Sequence, residues 1–164
     1  MWQKILAICC VLTMGLASCS DEDPYNPYAN FDYEAQAKLE DEYILKYLAD
    51  NNITQYTRTN SGLYHVVVEE GTGARPVVGD QVEVGYVGKF ISNGTIFDSS
   101  YSRAENLKMT VGVTKVIAGW TEGLQLMRKG EKAILLIPSH LAYGVYGSGS
   151  IGPLTPIMFD MHLI

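Results

Sequence analysis

Thr114-Lys115-Val116-Ile117-Ala118-Gly119-Trp120-Thr121-Glu122-Gly123-Leu124-Gln125-Leu126-Met127 is the stretch around which the chain is organised. Val116, Ile117, Trp120, Leu124 and Met127 recur at helical spacing, which predicts a short helix with a tryptophan at the centre of its apolar face. Both flanks read as strand. A lone helix between strands must lie across a sheet, because neither element buries its apolar face alone. On spacing alone Trp120 is a core plug.

Working outward, Gly62 to Val68 reads as a first strand, broken by Glu70-Gly71-Thr72-Gly73. The clearest alternation follows: Val82, Val84, Tyr86 and Phe90 on one face, Gln81, Glu83 and Lys89 on the other. Asn93-Gly94 supplies a two-residue hairpin turn, so Thr95-Ile96-Phe97 returns antiparallel. Leu107, Met109 and Val111 line the next strand, and Glu131 to Ile137 is an apolar strand stopped by Pro138. Ile157, Phe159, Met161 and Leu163 alternate along a last strand, with Asp160 and His162 turned away. The expected fold class is α+β: an antiparallel sheet of five or six strands curled around one short helix, with an N-terminal helical arm.

The arm spans about Phe31 to Asp50, with Ala35, Leu39, Tyr43, Ile44, Tyr47 and Leu48 on one side and Asn51-Asn52 at its end. Such an arm packs on its own domain or stands as a spacer above a membrane. Ahead of it, Lys4 precedes an apolar run from Ile5 to Ala17 that is short for a membrane span and is followed by acidic residues. Leu16-Ala17-Ser18-Cys19 resembles the bacterial lipobox, which makes Cys19 the expected lipidation site. Cys9 and Cys10 leave with the signal, so no disulfide is expected in the mature fold. Ser20-Asp21-Glu22-Asp23-Pro24 reads as an extended tether, similar to the acidic signal that sends some lipoproteins of Bacteroidetes-like bacteria to the outer face of the outer membrane. The expected organisation is a signal peptide over 1–18, tether and arm over 19–60, and a domain over 61–164 that folds on its own. The expected location is the cell envelope, lipid-anchored at the outer membrane, in a leaflet left open.

A formal charge of −6 without a basic cluster argues against nucleic acid as a partner. Gly147-Ser148-Gly149-Ser150-Ile151-Gly152 satisfies the literal dinucleotide pattern, but Pro153, Pro156 and a strand follow where the pyrophosphate needs a helix N-terminus. It reads as a flexible loop. His65, His140 and His162 sit in separate elements without metal-like spacing and read as surface or strand-edge histidines. No cofactor or metal is expected.

Four pieces carry a family resemblance: Val84-Gly85-Tyr86-Val87-Gly88, Gly94-Thr95-Ile96-Phe97-Asp98-Ser99-Ser100, Val116-Ile117-Ala118-Gly119-Trp120-Thr121-Glu122-Gly123, and Ala142-Tyr143-Gly144. In this order and spacing, the region from Gly62 to Ile164 resembles the FKBP-type peptidyl-prolyl cis-trans isomerases. The resemblance implies a proline pocket between sheet and helix, with Trp120 as its floor. It implies Tyr86, Phe97, Asp98, Ile117, Trp120, Tyr143 and Phe159 as catalytic residues, and Arg103, Leu107, Val116 and Ile151 as substrate contacts. Asp98 would pair with Arg103 and Tyr86 in an electrostatic role. Leu107 stands where many members have an aromatic wall, and Ile151-Gly152-Pro153 where an Ile-Pro-Pro turn is common. The implied partners are proline-containing segments of envelope proteins, the membrane through the anchor, and a macrolide of the kind the family binds. The alternative class is a binding or chaperone module with weak or no isomerase activity.

Overall fold

The structure is a computed structural model that describes residues 28, 30–103 and 105–164. Cys19, the signal region and the acidic tether lie outside the described residues. Residues Asp32–Ile164 form one compact unit. Its elements are α1 (Tyr33–Asp50), β1 (Thr57–Arg58), β2 (Tyr64–Glu69), β3 (Gln81–Phe90), β4 (Ile96–Ser99), β5 (Leu107–Thr110), α2 (Ala118–Leu126), β6 (Lys132–Ile137) and β7 (Ile157–Leu163).

The strands form one antiparallel sheet in the order β1-β2-β6-β7-β3-β4, with β5 also on β3. β7 holds one edge of β3 from Val84 to Phe90. Its other edge is shared: β5 pairs with Gln81–Val84 and β4 with Val87–Lys89, with a register shift between Gly88 and Lys89. The link between β4 and β5 therefore doubles back past the middle of β3. A 3-10 turn at Tyr101–Arg103 lies in that link, which brings Arg103 back beside β4.

α2 sits against β6 because two of its residues have no side chain. A Cβ on Gly119 would lie 2.5 Å from Ile137, and one on Gly123 would lie 2.3 Å from Leu135. Close approach buries Trp120, Leu124 and Met127 against Val84, Met109, Leu135, Ile157, Phe159 and Met161. The helix begins later than the apolar spacing predicts. Val116 and Ile117 precede it, and Ile117 is its N-cap residue in an extended conformation.

α1 starts where Asp32 accepts a hydrogen bond from the Ala35 N–H at 2.9 Å, and ends where Asn52 turns left-handed at φ 56°. It packs on its own sheet, and Ile44 and Leu48 join Tyr64, Val66, Ile91, Leu136 and Met158 in a second core. The buried face is only partly the one expected: Ile44 and Leu48 are buried and Tyr47 packs beside them, but Leu39 is 62% and Tyr43 39% exposed, whereas Glu40 is 3% exposed. Glu40 takes the inward position because Ser139 offers its carboxylate two donors.

Three local expectations are corrected. The β3–β4 connection runs from Ile91 to Thr95 and is longer than a two-residue turn: Gly94 N–H donates to the Phe90 carbonyl, and Asn93 Oδ1 accepts from the Thr95 N–H. The Gly147–Gly152 segment is a closed turn, since Ser148 and Ile151 exchange backbone hydrogen bonds at 2.8 and 2.9 Å. His65 is buried and bonds Glu131 at 2.7 Å, so it is no surface histidine. Among the described residues no helix is long and apolar enough to cross a membrane.

Candidate active site

A cleft of about 220 Å³ opens between α2 and the inner face of the sheet. That is smaller than the roughly 300–1,000 Å³ of pockets for drug-sized ligands. It suits a single small ring. Larger cavities of about 520 and 480 Å³ lie elsewhere, at the β3–β5 edge and beside α1; the first has no aromatic lining and the second has Tyr33 and Tyr146 but no tryptophan or phenylalanine.

The cleft's aromatic residues hold each other in edge-to-face contact. Trp120 lies 4.8 Å from Tyr86 and 5.1 Å from Phe159, and Phe159 lies 5.6 Å from Phe97, centroid to centroid. Phe90 backs Phe97 at 5.2 Å. Such pairs favour edge-to-face geometry because the ring edge is positive and the face negative. β3 makes room for them at Gly88, where a Cβ would lie 2.6 Å from Phe97 and 2.7 Å from Phe159. Leu107, Val116, Ile117 and Tyr143 complete the lining.

One wall is fixed by a polar triad. The Tyr86 hydroxyl donates to Asp98 Oδ2 at 2.7 Å and accepts from Arg103 Nη2 at 2.5 Å, while Arg103 Nη1 donates to Asp98 Oδ1 at 2.7 Å. The Ser99 N–H adds a donor to Oδ1 at 2.8 Å. Burial alone would raise the Asp98 carboxyl; Arg103, Tyr86 and the Ser99 N–H outweigh it and hold it below its ordinary value. Burial, followed by the bond to Asp98, pushes the Tyr86 phenol up. Asp98 is thus a fixed anion near neutral pH and not a proton donor.

Three donors at the cleft lack a protein partner among the described residues: the Ile117 N–H, the Tyr143 hydroxyl and the buried Trp120 Nε1–H. Burial and the Asp98 charge both raise the Tyr143 phenol, so its hydroxyl keeps its proton. A buried donor without an acceptor is uncommon in a folded protein and marks a position of interest.

Of the eleven pocket residues expected from sequence, nine line the cleft: Tyr86, Phe97, Asp98, Leu107, Val116, Ile117, Trp120, Tyr143 and Phe159. Arg103 stands behind the wall through the triad. Ile151 is not among the residues that line the cleft, and it is 6% exposed in the core cluster that also holds Tyr86, Trp120 and Phe159. Lys115 lines the mouth and was missed. Its place directly before Val116 was the available signal.

A curled antiparallel sheet closed by one helix, with an aromatic cleft between them, defines a fold that can seat one apolar ring. The chain belongs to the FKBP-type peptidyl-prolyl cis-trans isomerase family, whose model matches residues 73–164. It is 44% identical over 73% of its length to the FKBP-type isomerase FkpA of Aeromonas hydrophila, of which it covers 44%. It is 43% identical to the FKBP-type 22 kDa isomerase of Escherichia coli, covering 73% of this chain and 58% of that protein. The chain thus spans about half the length of these curated relatives. A crystal structure of a peptidyl-prolyl cis-trans isomerase from Pseudomonas syringae pv. tomato matches with TM-score 0.67 and 35% identity, over 81% of this chain and 94% of that one.

Proposed function

We propose that this chain catalyses cis-trans isomerisation of prolyl peptide bonds, and that the Trp120-floored cleft is where the bond rotates. The carrying observation is an aromatic cleft of one-ring size with two free donors, Ile117 N–H and Tyr143 hydroxyl, at its rim. Rotating a peptide bond costs about 18–20 kcal/mol, because the planar amide has resonance that the twisted amide loses. Water stabilises the planar form best, since its carbonyl oxygen carries more negative charge. Seating the ring among Trp120, Phe97 and Phe159 excludes that water, and walls shaped for the twisted bond add differential binding. Each 1.36 kcal/mol gained is about tenfold in rate. Ile117 N–H and Tyr143 hydroxyl hold substrate carbonyls. Leu107 and Val116 complete the apolar lining, and Tyr86, Asp98 and Arg103 keep one wall rigid.

A protease-coupled isomerisation assay on the chain from Ser20 onward tests this reading. Acceleration that a pocket-filling macrolide abolishes supports it. A folded chain without acceleration overturns it, and retained binding of proline peptides would then favour the binding-module class, for which Leu107 in place of an aromatic wall is the specific observation.

The anchor is also proposed. Cys19 is lipidated, the acidic segment after it tethers the domain at the outer membrane of a Bacteroidetes-like cell, and the clients are proline-bearing segments of envelope proteins. A single acyl chain gives only marginal membrane binding, whereas a diacylated cysteine supplies two. Cys19→Ala should move the protein to the soluble fraction; unchanged membrane retention overturns the anchor.

A further inference from the structure

Glu40 is a buried carboxylate on a helix whose other buried side chains, Ile44 and Leu48, are apolar. Anchoring α1 needs no charge there, since Ile44 and Leu48 already face the sheet one and two turns further along. A buried carboxylate is expensive unless its oxygens are occupied, and a well-packed apolar residue is often the more stable choice. Its position therefore asks for a geometric reason.

The reason lies at Ser139. Glu40 Oε2 accepts the Ser139 N–H at 2.6 Å and Oε1 accepts the Ser139 hydroxyl at 2.6 Å, while the Gln36 side chain donates to Oε1 at 2.7 Å. Ser139 is itself buried. Its carbonyl accepts the N–H groups of Ala142 at 2.9 Å and Gly144 at 2.8 Å, the two residues that bracket Tyr143. The path runs from the arm carboxylate through one serine to both neighbours of a cleft residue.

We infer that Glu40 is a positioning residue that sets the Tyr143 hydroxyl at the cleft, so that the N-terminal helix forms part of the site's scaffold. This rests on the isomerase reading above. Glu40→Gln replaces two charged accepting oxygens with one neutral oxygen and an N–H₂ group, so the Ser139 N–H and hydroxyl no longer both donate to a carboxylate and the hold on Ser139 weakens.

The test measures kcat/KM for Glu40→Gln, Tyr143→Phe and the double variant, on the chain from Ser20 onward. Glu40→Gln should lower kcat/KM about three- to tenfold, the factor that matches the net worth of one ordinary hydrogen bond, since the amide still bonds Ser139 in part. It should have no further effect once Tyr143 is Phe. A simple loosening of the fold would instead multiply the two losses, which overturns the inference, as does a Glu40→Gln value within twofold of wild type. Leu48→Ala is the control for loosening: it should lower Tm and leave kcat/KM unchanged below Tm, and an equal loss there also overturns the inference. Should Glu40→Gln not fold, Ser139→Ala removes only the hydroxyl bond and should give a smaller loss with the same dependence on Tyr143. Amide hydrogen exchange separates this inference from the isomerase reading. The Ser139, Ala142 and Gly144 amides should exchange faster in Glu40→Gln while β6 and β7 keep their protection; unchanged exchange overturns the positioning role even if wild type is active. A wild type without activity removes the isomerase reading alone.

Discussion

On the sheet face toward α2, Phe159, Met161 and Leu163 of β7 and Ala133, Leu135 and Ile137 of β6 pack around one tryptophan; on the opposite face, Met158 and Leu136 from the same strands pack under α1. The first face is aromatic, leaves a cleft and carries donors without partners. The second is mostly aliphatic around the buried Tyr64 and is covered by a helix from the other end of the chain. Adjacent residues of one strand thus serve different purposes, because side chains alternate across a sheet. The comparison teaches that the second face supplies rigidity, and that the first can hold an open cleft because of it.

The sharpest way to break this division is to remove the cover. A fragment beginning at residue 61 loses α1 and exposes Tyr64, Val66, Leu136 and Met158. Ile44 and Leu48 are fully buried, and at about 1.5–3 kcal/mol each they account for about 3–6 kcal/mol. Domain stabilities are only about 5–15 kcal/mol, so the fragment should unfold at much lower urea or show no cooperative transition. A fragment with the urea midpoint of the longer chain would show that the aromatic face stands alone.

The two faces were also unequally legible. The aromatic face could be read because its residues alternate within single strands and its motifs lie close together in sequence. The α1 face depends on a partner 99 residues away: Glu40 is ordinary helix polarity until Ser139 is seen beside it. Leu39 and Tyr43 matched the apolar spacing as well as Ile44 did, and local periodicity could not decide which of them the sheet would cover. Ile151 poses a similar difficulty, since it sits in a turn closed by Ser148 that the glycine-rich sequence around it did not announce.

On the cleft face the largest single change is Trp120→Ala. It removes the floor and should cost about 3–5 kcal/mol in urea unfolding, as buried large-to-small changes do. If the cleft works by excluding water, kcat/KM should fall further than the Leu48→Ala control at equal fraction folded. Equal activities would separate the floor from catalysis.

Gly88→Ala probes the same face from the backbone. The added methyl meets Phe97 and Phe159 well inside contact distance, and overpacking of this kind costs about 1–3 kcal/mol. Both rings must move, so macrolide affinity should drop while the α1 face is untouched. A variant with normal affinity would mean that the two rings can shift without reshaping the cleft.

The smallest effect expected is that of the triad, and it distinguishes stability from binding. The Asp98 carboxyl is held below its ordinary value in the folded state, chiefly by Arg103 and Tyr86 against the opposing effect of burial. A depressed folded value means that the ionised form is favoured by folding. The contribution is present above the unfolded-state value, about 3.9 for an aspartate, and is lost as pH falls through the lower folded value. Both partners are substantially exposed, with side-chain exposures of 43% for Asp98 and 53% for Arg103. Solvent screening therefore limits the contribution to less than about 1 kcal/mol. Asp98→Asn should flatten the acid limb of stability below about pH 4 by that small amount in urea titrations at stepped pH. Its effect on the cleft should be larger in proportion, because the amide loses the bond geometry that fixes the Tyr86 ring 4.8 Å from Trp120. The expected pattern is weaker macrolide binding, a raised KM and a nearly unchanged kcat, since no proton passes through Asp98. A large fall in kcat with KM unchanged would give the triad a direct part in bond rotation and end its description as a wall.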